Sequence, residues 1–324
     1  MALAAIIVAA AILTEAALSF LGLGDPNIVT WGSMIAEGRN VLRSAAHQQS
    51  AGDREASAMS GNALCRIDDL SVWYAASDAP ALQNVSLTIR QGQRLAIIGE
   101  SGSGKSTLGK AIAGLLPGHA KVSGDISWSR DSLFYGRPLP GRDIGTIFQD
   151  TGATLNPVLT IGEQVAEGAV RHLGLSWRQA RDLARDLLER VRLPHPSHLI
   201  RAYPHQLSGG QRQRVTIAAA IAASPSILIA DEATSALDTV SQAAIATLLD
   251  DLVRRENKTL VFITHDIGLA SSLADEIAVL RAGLLVEHGP TRRVLSAPVH
   301  DYTRALLADY LDLSTPPLVS EAAS

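Results

Sequence analysis

Leu95-Ala-Ile-Ile-Gly-Glu-Ser-Gly-Ser-Gly-Lys-Ser-Thr107 is the stretch on which the fold turns. Its first four residues form a short apolar run of the kind buried on both faces of a parallel sheet. A helix is expected to open at Lys105, and between strand and helix Gly99–Thr107 fits G-x-x-x-x-G-K-[ST]. Glycines let the backbone curl so that its N–H groups face a polyphosphate, and a helix N-terminus adds partial positive charge. Gly99, Ser101, Gly102, Gly104 and Thr107 are thus expected to form the cradle. Lys105 is expected to reach the β- and γ-phosphates of a nucleotide, and the Ser106 hydroxyl to hold Mg²⁺. The bland alternative is a chance match in a glycine-rich loop. The strand before it and the helix after it argue for the phosphate site.

Outside this stretch the chain alternates apolar strand-like runs with helical patterns from Ala63 onward, the mark of an α/β fold around a largely parallel sheet. Ile227–Ala230 and Leu260–Ile263 are further buried-strand candidates. Residues 155 to 223 are expected to be mostly helix. Ser176 with Gln179 makes a capping box, after which Leu183, Leu187, Leu188 and Val191 line one face. Arg178, Arg181 and Arg185 fall on the other side among acids and are expected to be a solvated face, not a nucleic-acid patch.

Composition narrows the function. The chain has 324 residues, 47% hydrophobic and 19% charged, enough for one large domain or two ordinary ones. The single Cys65 excludes a disulfide scaffold and a cysteine-built metal or iron–sulfur site. A net charge of −4 and 4% aromatics give no pull toward nucleic acid and no base-stacking platform.

Two carboxylates, Asp231 and Glu232, follow Ile227–Ala230. Asp231 is suited to the magnesium shell, leaving Glu232 to polarise an attacking water. Alone, such a pair could equally be a helix N-cap; beside the glycine loop, the catalytic role prevails. His265 follows Leu260–Thr264 at the carboxyl end of a strand, where open parallel sheets gather ligands, and contact with a γ-phosphate is expected there. A lone histidine is otherwise usually structural.

A guanine-nucleotide switch would need N-K-x-D, but Asn257-Lys-Thr-Leu260 has Leu in the last place. Small-molecule kinases have no reason to carry Leu207-Ser-Gly-Gly-Gln211. At these residues the sequence resembles the ATP-binding subunits of ABC transporters, over about residues 64 to 310. The resemblance implies a RecA-like core with an antiparallel β subdomain and a helical subdomain at about 155–215. It makes Gln149 the Q-loop residue, catalytic and near the metal. Ser235–Asp238 is similar to the D-loop, with Asp238 at the nucleotide. His265 is similar to the switch histidine, and Tyr74 to the aromatic that stacks on adenine. Trp73 could be the stacker instead, or either could be core. The family's mechanism closes two such domains head to tail, so that Ser208, Gly209, Gly210 and Gln211 of one meet ATP held by the other, with a helix starting near Gln211 aimed at the γ-phosphate. One motif set therefore requires a second ATPase, typically a non-identical paralogue, with the helical region holding the transmembrane partner.

Thr154-Leu-Asn-Pro-Val-Leu-Thr-Ile-Gly-Glu163, Tyr203-Pro-His-Gln-Leu-Ser-Gly-Gly210 and the tail His300-Asp-Tyr-Thr-Arg-Ala-Leu-Leu307 resemble the dipeptide, oligopeptide and nickel uptake group. Asp301 replaces that group's Pro. This implies a peripheral ATPase on the cytoplasmic face of a bacterial inner membrane, serving two permease subunits and an extracytoplasmic substrate-binding protein. Peptide is the expected cargo, with nickel or another small solute as the alternative. Rival readings are a soluble ABC ATPase outside transport and an inactive fusion product.

Residues 1–44 differ in kind. Met1–Leu13 and Ala16–Gly24 are apolar around Glu15, long enough together for a membrane crossing, or else a buried Ala-rich helix. Glu15–Gly24 and Trp31–Arg39 resemble the end of a peptide-uptake permease. The expectation is a permease-like remnant (1–44), a linker (45–62), the ATPase domain (63–298) beginning to work near Met59, and a transporter-type tail (299–324).

Overall fold

The computed structural model describes residues 63–75, 79–129, 137–148, 154–233 and 239–312. The remnant and linker expected over residues 1–62, Met59 included, lie outside them, as do Gln149 and Asp238.

The quoted stretch folds as its pattern requires: strand β3 (Arg94–Ile98), a loop, and helix α1 (Lys105–Ala113). β3 lies inside a six-stranded sheet of order β5-β6-β7-β3-β8-β9. Its other strands are β5 (Ile144–Ile147), β6 (Ile227–Asp231), β7 (Thr259–Ile263), β8 (Glu276–Arg281) and β9 (Leu284–Pro290). All pairings are parallel except the β8–β9 hairpin. A second, antiparallel sheet of order β2-β1-β4 is built from β1 (Ala63–Trp73), β2 (Leu82–Arg90) and β4 (Lys121–Trp128).

Strand periodicity divides the central sheet between two cores. Leu95 and Ile97, Ile227 and Ile229, and Val261 and Ile263 face a core shared with the antiparallel sheet and with Leu108 and Ile112 of α1. Ala96 and Ile98, Leu228 and Ala230, and Leu260 and Phe262 face the core shared with the helical region. Every residue of β6 and β7 is buried, which is why these strands are apolar without alternation.

The helical region comprises α2 (Ile161–Leu173), α3 (Trp177–Arg190), α4 (Pro196–Leu199) and α5 (Gly209–Ala220). Capping boxes open three of them: Thr160 with Glu163, Ser176 with Gln179, and Ser208 with Gln211. In α3 Leu187, Leu188 and Val191 are buried and Leu183 packs beside them, while Arg178, Arg181 and Arg185 are exposed. α5 starts at Gly209, near Gln211 as expected, and the Ser208 hydroxyl caps it by accepting from the Gln211 N–H.

Four more helices complete the described chain: α6 (Thr239–Glu256), α7 (Ile267–Leu273), α8 (Thr291–Ser296) and α9 (Asp301–Asp312). Tyr302 of α9 is buried in the helical-side core. Among the described residues, no helix is long and apolar enough to cross a membrane.

Candidate active site

The loop after β3 needs glycine at its two ends. Gly99 has φ +147°, and a Cβ there would lie 2.1 Å from the Leu280 carbonyl oxygen. Gly104 has φ +101°, and its Cβ would lie 2.5 Å from the Ala81 carbonyl oxygen. Either contact would push the loop off its supports. Gly104 is also the N-cap of α1 and carries no capping side chain, so the helix meets the loop with first-turn N–H groups free for an anion.

Lys105 is only 5% exposed, and its Nζ donates to the Gly99 and Glu100 carbonyls at 2.8 and 2.7 Å. Burial pushes its pKa below the usual lysine value, while the Glu232, Asp231 and Glu100 carboxylates pull the other way. A buried ammonium held by weak neutral acceptors is poised to donate to phosphate oxygens in their place.

The next residue reaches across to β6. Ser106 Oγ donates to Asp231 Oδ1 at 2.9 Å. Burial raises the Asp231 carboxyl above the usual range, against the Ser106 hydrogen bond, which lowers it. A hydroxyl and a carboxylate side by side are hard oxygen donors, the set that Mg²⁺ takes through one or two protein groups plus phosphates. The residues present fit that ion.

Asp231 ends β6, and Glu232 turns out of the strand with φ +45°, its N–H donating to the Ile263 carbonyl at 3.0 Å. Neither acid caps a helix among the described residues. His265 stands just past β7, its Nδ1 3.9 Å from Glu232 Oε1, too far for a hydrogen bond. Its side chain is 61% exposed, so it is not a core histidine. Asp266, the next residue, caps α7 by accepting from the Leu269 N–H and so fixes the turn that carries His265.

Tyr74 and Trp73 part company. The Tyr74 hydroxyl lies 3.2 Å from Thr107 Oγ1, against the phosphate loop, whereas the Trp73 ring lies under Lys121 Nζ at 5.4 Å. The structure therefore brings together Tyr74, the loop 99–107, Asp231, Glu232 and His265. It forms no hydrogen bond or ion pair, among the described residues, between this group and Ser208–Gln211.

Residues 82–235 match the family described as ABC transporter. The dipeptide transport ATP-binding protein DppD of Escherichia coli (strain K12) is 43% identical over 253 residues, covering 76% of this chain and 77% of the relative. The oligopeptide transport ATP-binding protein OppD of Salmonella typhimurium is 39% identical over 256 residues, covering 76% of each. A solved ATP-binding cassette, dimeric in a post-hydrolysis state with ADP and Pi, superposes with a TM-score of 0.61 at 31% identity, covering 71% of this chain and 99% of that one.

The chain belongs to the ABC transporter family. As an ABC ATPase it binds and hydrolyses ATP. Two residues expected at its site, Gln149 and Asp238, lie outside the described residues. The Ser208 side chain of this ABC chain is committed to its own helix cap, and the N–H groups of Gly209 and Gly210 lead that helix into an exposed surface. Sequence reasoning missed one contact entirely. The Glu100 N–H of the phosphate loop donates to the Tyr302 hydroxyl, 202 positions away, at 3.0 Å. No local pattern signals it, because the partner comes from α9.

Proposed function

We propose that this ABC ATPase, using Mg·ATP, energises uptake of di- and oligopeptides from the cytoplasmic face of a bacterial inner membrane. The observation that carries the catalytic part is the constellation Lys105, Ser106, Asp231, Glu232 and His265 around one glycine loop. The peptide cargo is supported by relatives named for dipeptide and oligopeptide transport, at 39–43% identity over three-quarters of the chain.

The residues divide the work. The loop N–H groups and Lys105 bind the β- and γ-phosphates. Ser106 and Asp231 would hold Mg²⁺, which when bound spreads the developing charge of the phosphates. Glu232 takes a proton from the attacking water, and His265 orients the γ-phosphate. Tyr74 stacks on the adenine, and Gln149 links the phosphates to the helical region. Ser208–Gln211 and Asp238 serve the interface with a second, non-identical ATPase, in which the Gly209 and Gly210 N–H groups at the start of α5 meet the partner's γ-phosphate. Two permease subunits and an extracytoplasmic binding protein complete the transporter. Exposed Val158 (76%) and Leu159 (37%), just before α2, supply apolar surface for permease contact.

Asp231→Asn keeps the shape of the side chain and removes its charge. It should raise the half-saturating Mg²⁺ concentration by about 10–100-fold while leaving metal-free ATP binding in place. A magnesium titration of ATPase activity checks this, and an unchanged Mg²⁺ dependence would take Asp231 out of the metal role.

The cargo is tested by uptake of labelled di- and oligopeptides in the native host, with nickel in parallel, in cells carrying wild-type protein or Glu232→Gln. Loss of peptide uptake alone is the expected result. Loss of nickel uptake with peptide uptake intact would reassign the cargo, and no change in either would overturn the importer reading.

A further inference from the structure

We propose that Tyr302 is a positioning residue for the phosphate loop, clipping the start of α9 to the Glu100 amide at the loop's entrance. The inference rests on ATP binding at that loop. β3 ends at Ile98, and Glu100 is the second residue of the loop that follows. Its N–H donates to Tyr302 Oη at 3.0 Å. That hydrogen bond holds the Gly99–Glu100 peptide, whose carbonyl accepts from the Lys105 ammonium.

The clip is built to be stiff. Tyr302 is 6% exposed, and the Arg281 guanidinium lies over its ring, Cζ 4.9 Å from the centroid. Arg281 ends β8, whose neighbour Leu280 presents the carbonyl that Gly99 packs against. One strand end therefore braces both the glycine and the tyrosine.

The turn before α9 is held as firmly. Glu287 of β9 is 9% exposed, and its two carboxylate oxygens accept the Val299 and His300 N–H groups at 2.9 and 3.1 Å. Tyr302 N–H donates to His300 Nδ1 at 3.1 Å, and Arg304 donates to the Pro298 and Val299 carbonyls, both at 2.9 Å. Arg304 also pairs with Asp301. Among these contacts, it is Tyr302 that reaches the phosphate loop.

The test is Tyr302→Phe in the full chain, which keeps the ring beneath Arg281 and removes only the hydroxyl. MgATP and MgADP affinities are measured by titration, and steady-state hydrolysis gives KM and kcat. Amide exchange is followed over residues 95–108 and over the helical region. Losing one hydrogen bond to the loop should raise Kd and KM about 3–10-fold with kcat within twofold of wild type. Exchange should quicken over 95–108 in the nucleotide-free protein and not over 161–220. Unchanged Kd and KM would overturn the clip, as would faster exchange throughout the chain with a falling kcat, which marks a purely structural role. A wild-type chain that fails to bind MgATP would instead remove the nucleotide site beneath it.

Discussion

Glu232→Gln should bind MgATP as wild type does and hydrolyse it about 10²–10⁴-fold more slowly. That range corresponds to roughly 3–5 kcal/mol on the barrier. The substitution is nearly isosteric. The backbone bond from residue 232 to the Ile263 carbonyl survives it, as does the neighbouring Ser106–Asp231 contact. What disappears is the acceptor for the proton that the attacking water must lose. Binding should be spared because the proposed phosphate contacts are the loop amides, Lys105 and Ser106, and a carboxylate facing phosphate contributes nothing favourable to it. Phosphate release under single-turnover conditions, beside an equilibrium MgATP titration, separates the two quantities. Hydrolysis near the wild-type rate would remove Glu232 from the role of general base.

Lys105→Ala should act on the other quantity, weakening MgATP binding by about 10²-fold or more. Its ammonium is buried and held by two backbone carbonyls, and a polyphosphate offers it charged oxygens in their place. Hydrogen bonds to charged partners contribute about 1.5–3 kcal/mol each, so the loss of one such donor site reaches this range. The expected contrast with Tyr302→Phe is one of scale, since that variant loses only the hydroxyl's contacts with Glu100. Titration of the full chain with MgATP decides it. A dissociation constant within threefold of wild type would mean that the loop amides alone hold the phosphates.

Much of this architecture is legible in the sequence. Buried strands betray themselves by unbroken apolar runs that stop at polar residues, and β3, β6 and β7 fell within a residue or two of expectation. The phosphate loop was legible because its chemistry is contiguous. The antiparallel sheet was not visible in the residues themselves and entered only through family resemblance. Its β4 is exposed over Lys121–Asp125, and β1 shifts register between Ile67 and Leu70, so neither strand keeps a clean alternation. Two of the three capping boxes also passed unread. Thr160 with Glu163 follows a Pro-containing turn, and Ser208 with Gln211 sits inside a motif read for its glycines. Within the site, Ser106 and Asp231 could be paired by chemistry alone. Tyr302 could not, because its tail had been taken only as a mark of the transporter group.

The left-handed backbone at Glu232 has an energetic meaning as well as a geometric one. A side-chain-bearing residue in that region lies roughly 1–2 kcal/mol above its relaxed conformation, and glycine or asparagine would sit there more easily. That cost is drawn from folding stability, so the carboxylate stands at the mouth of the strand at the expense of the fold that carries it.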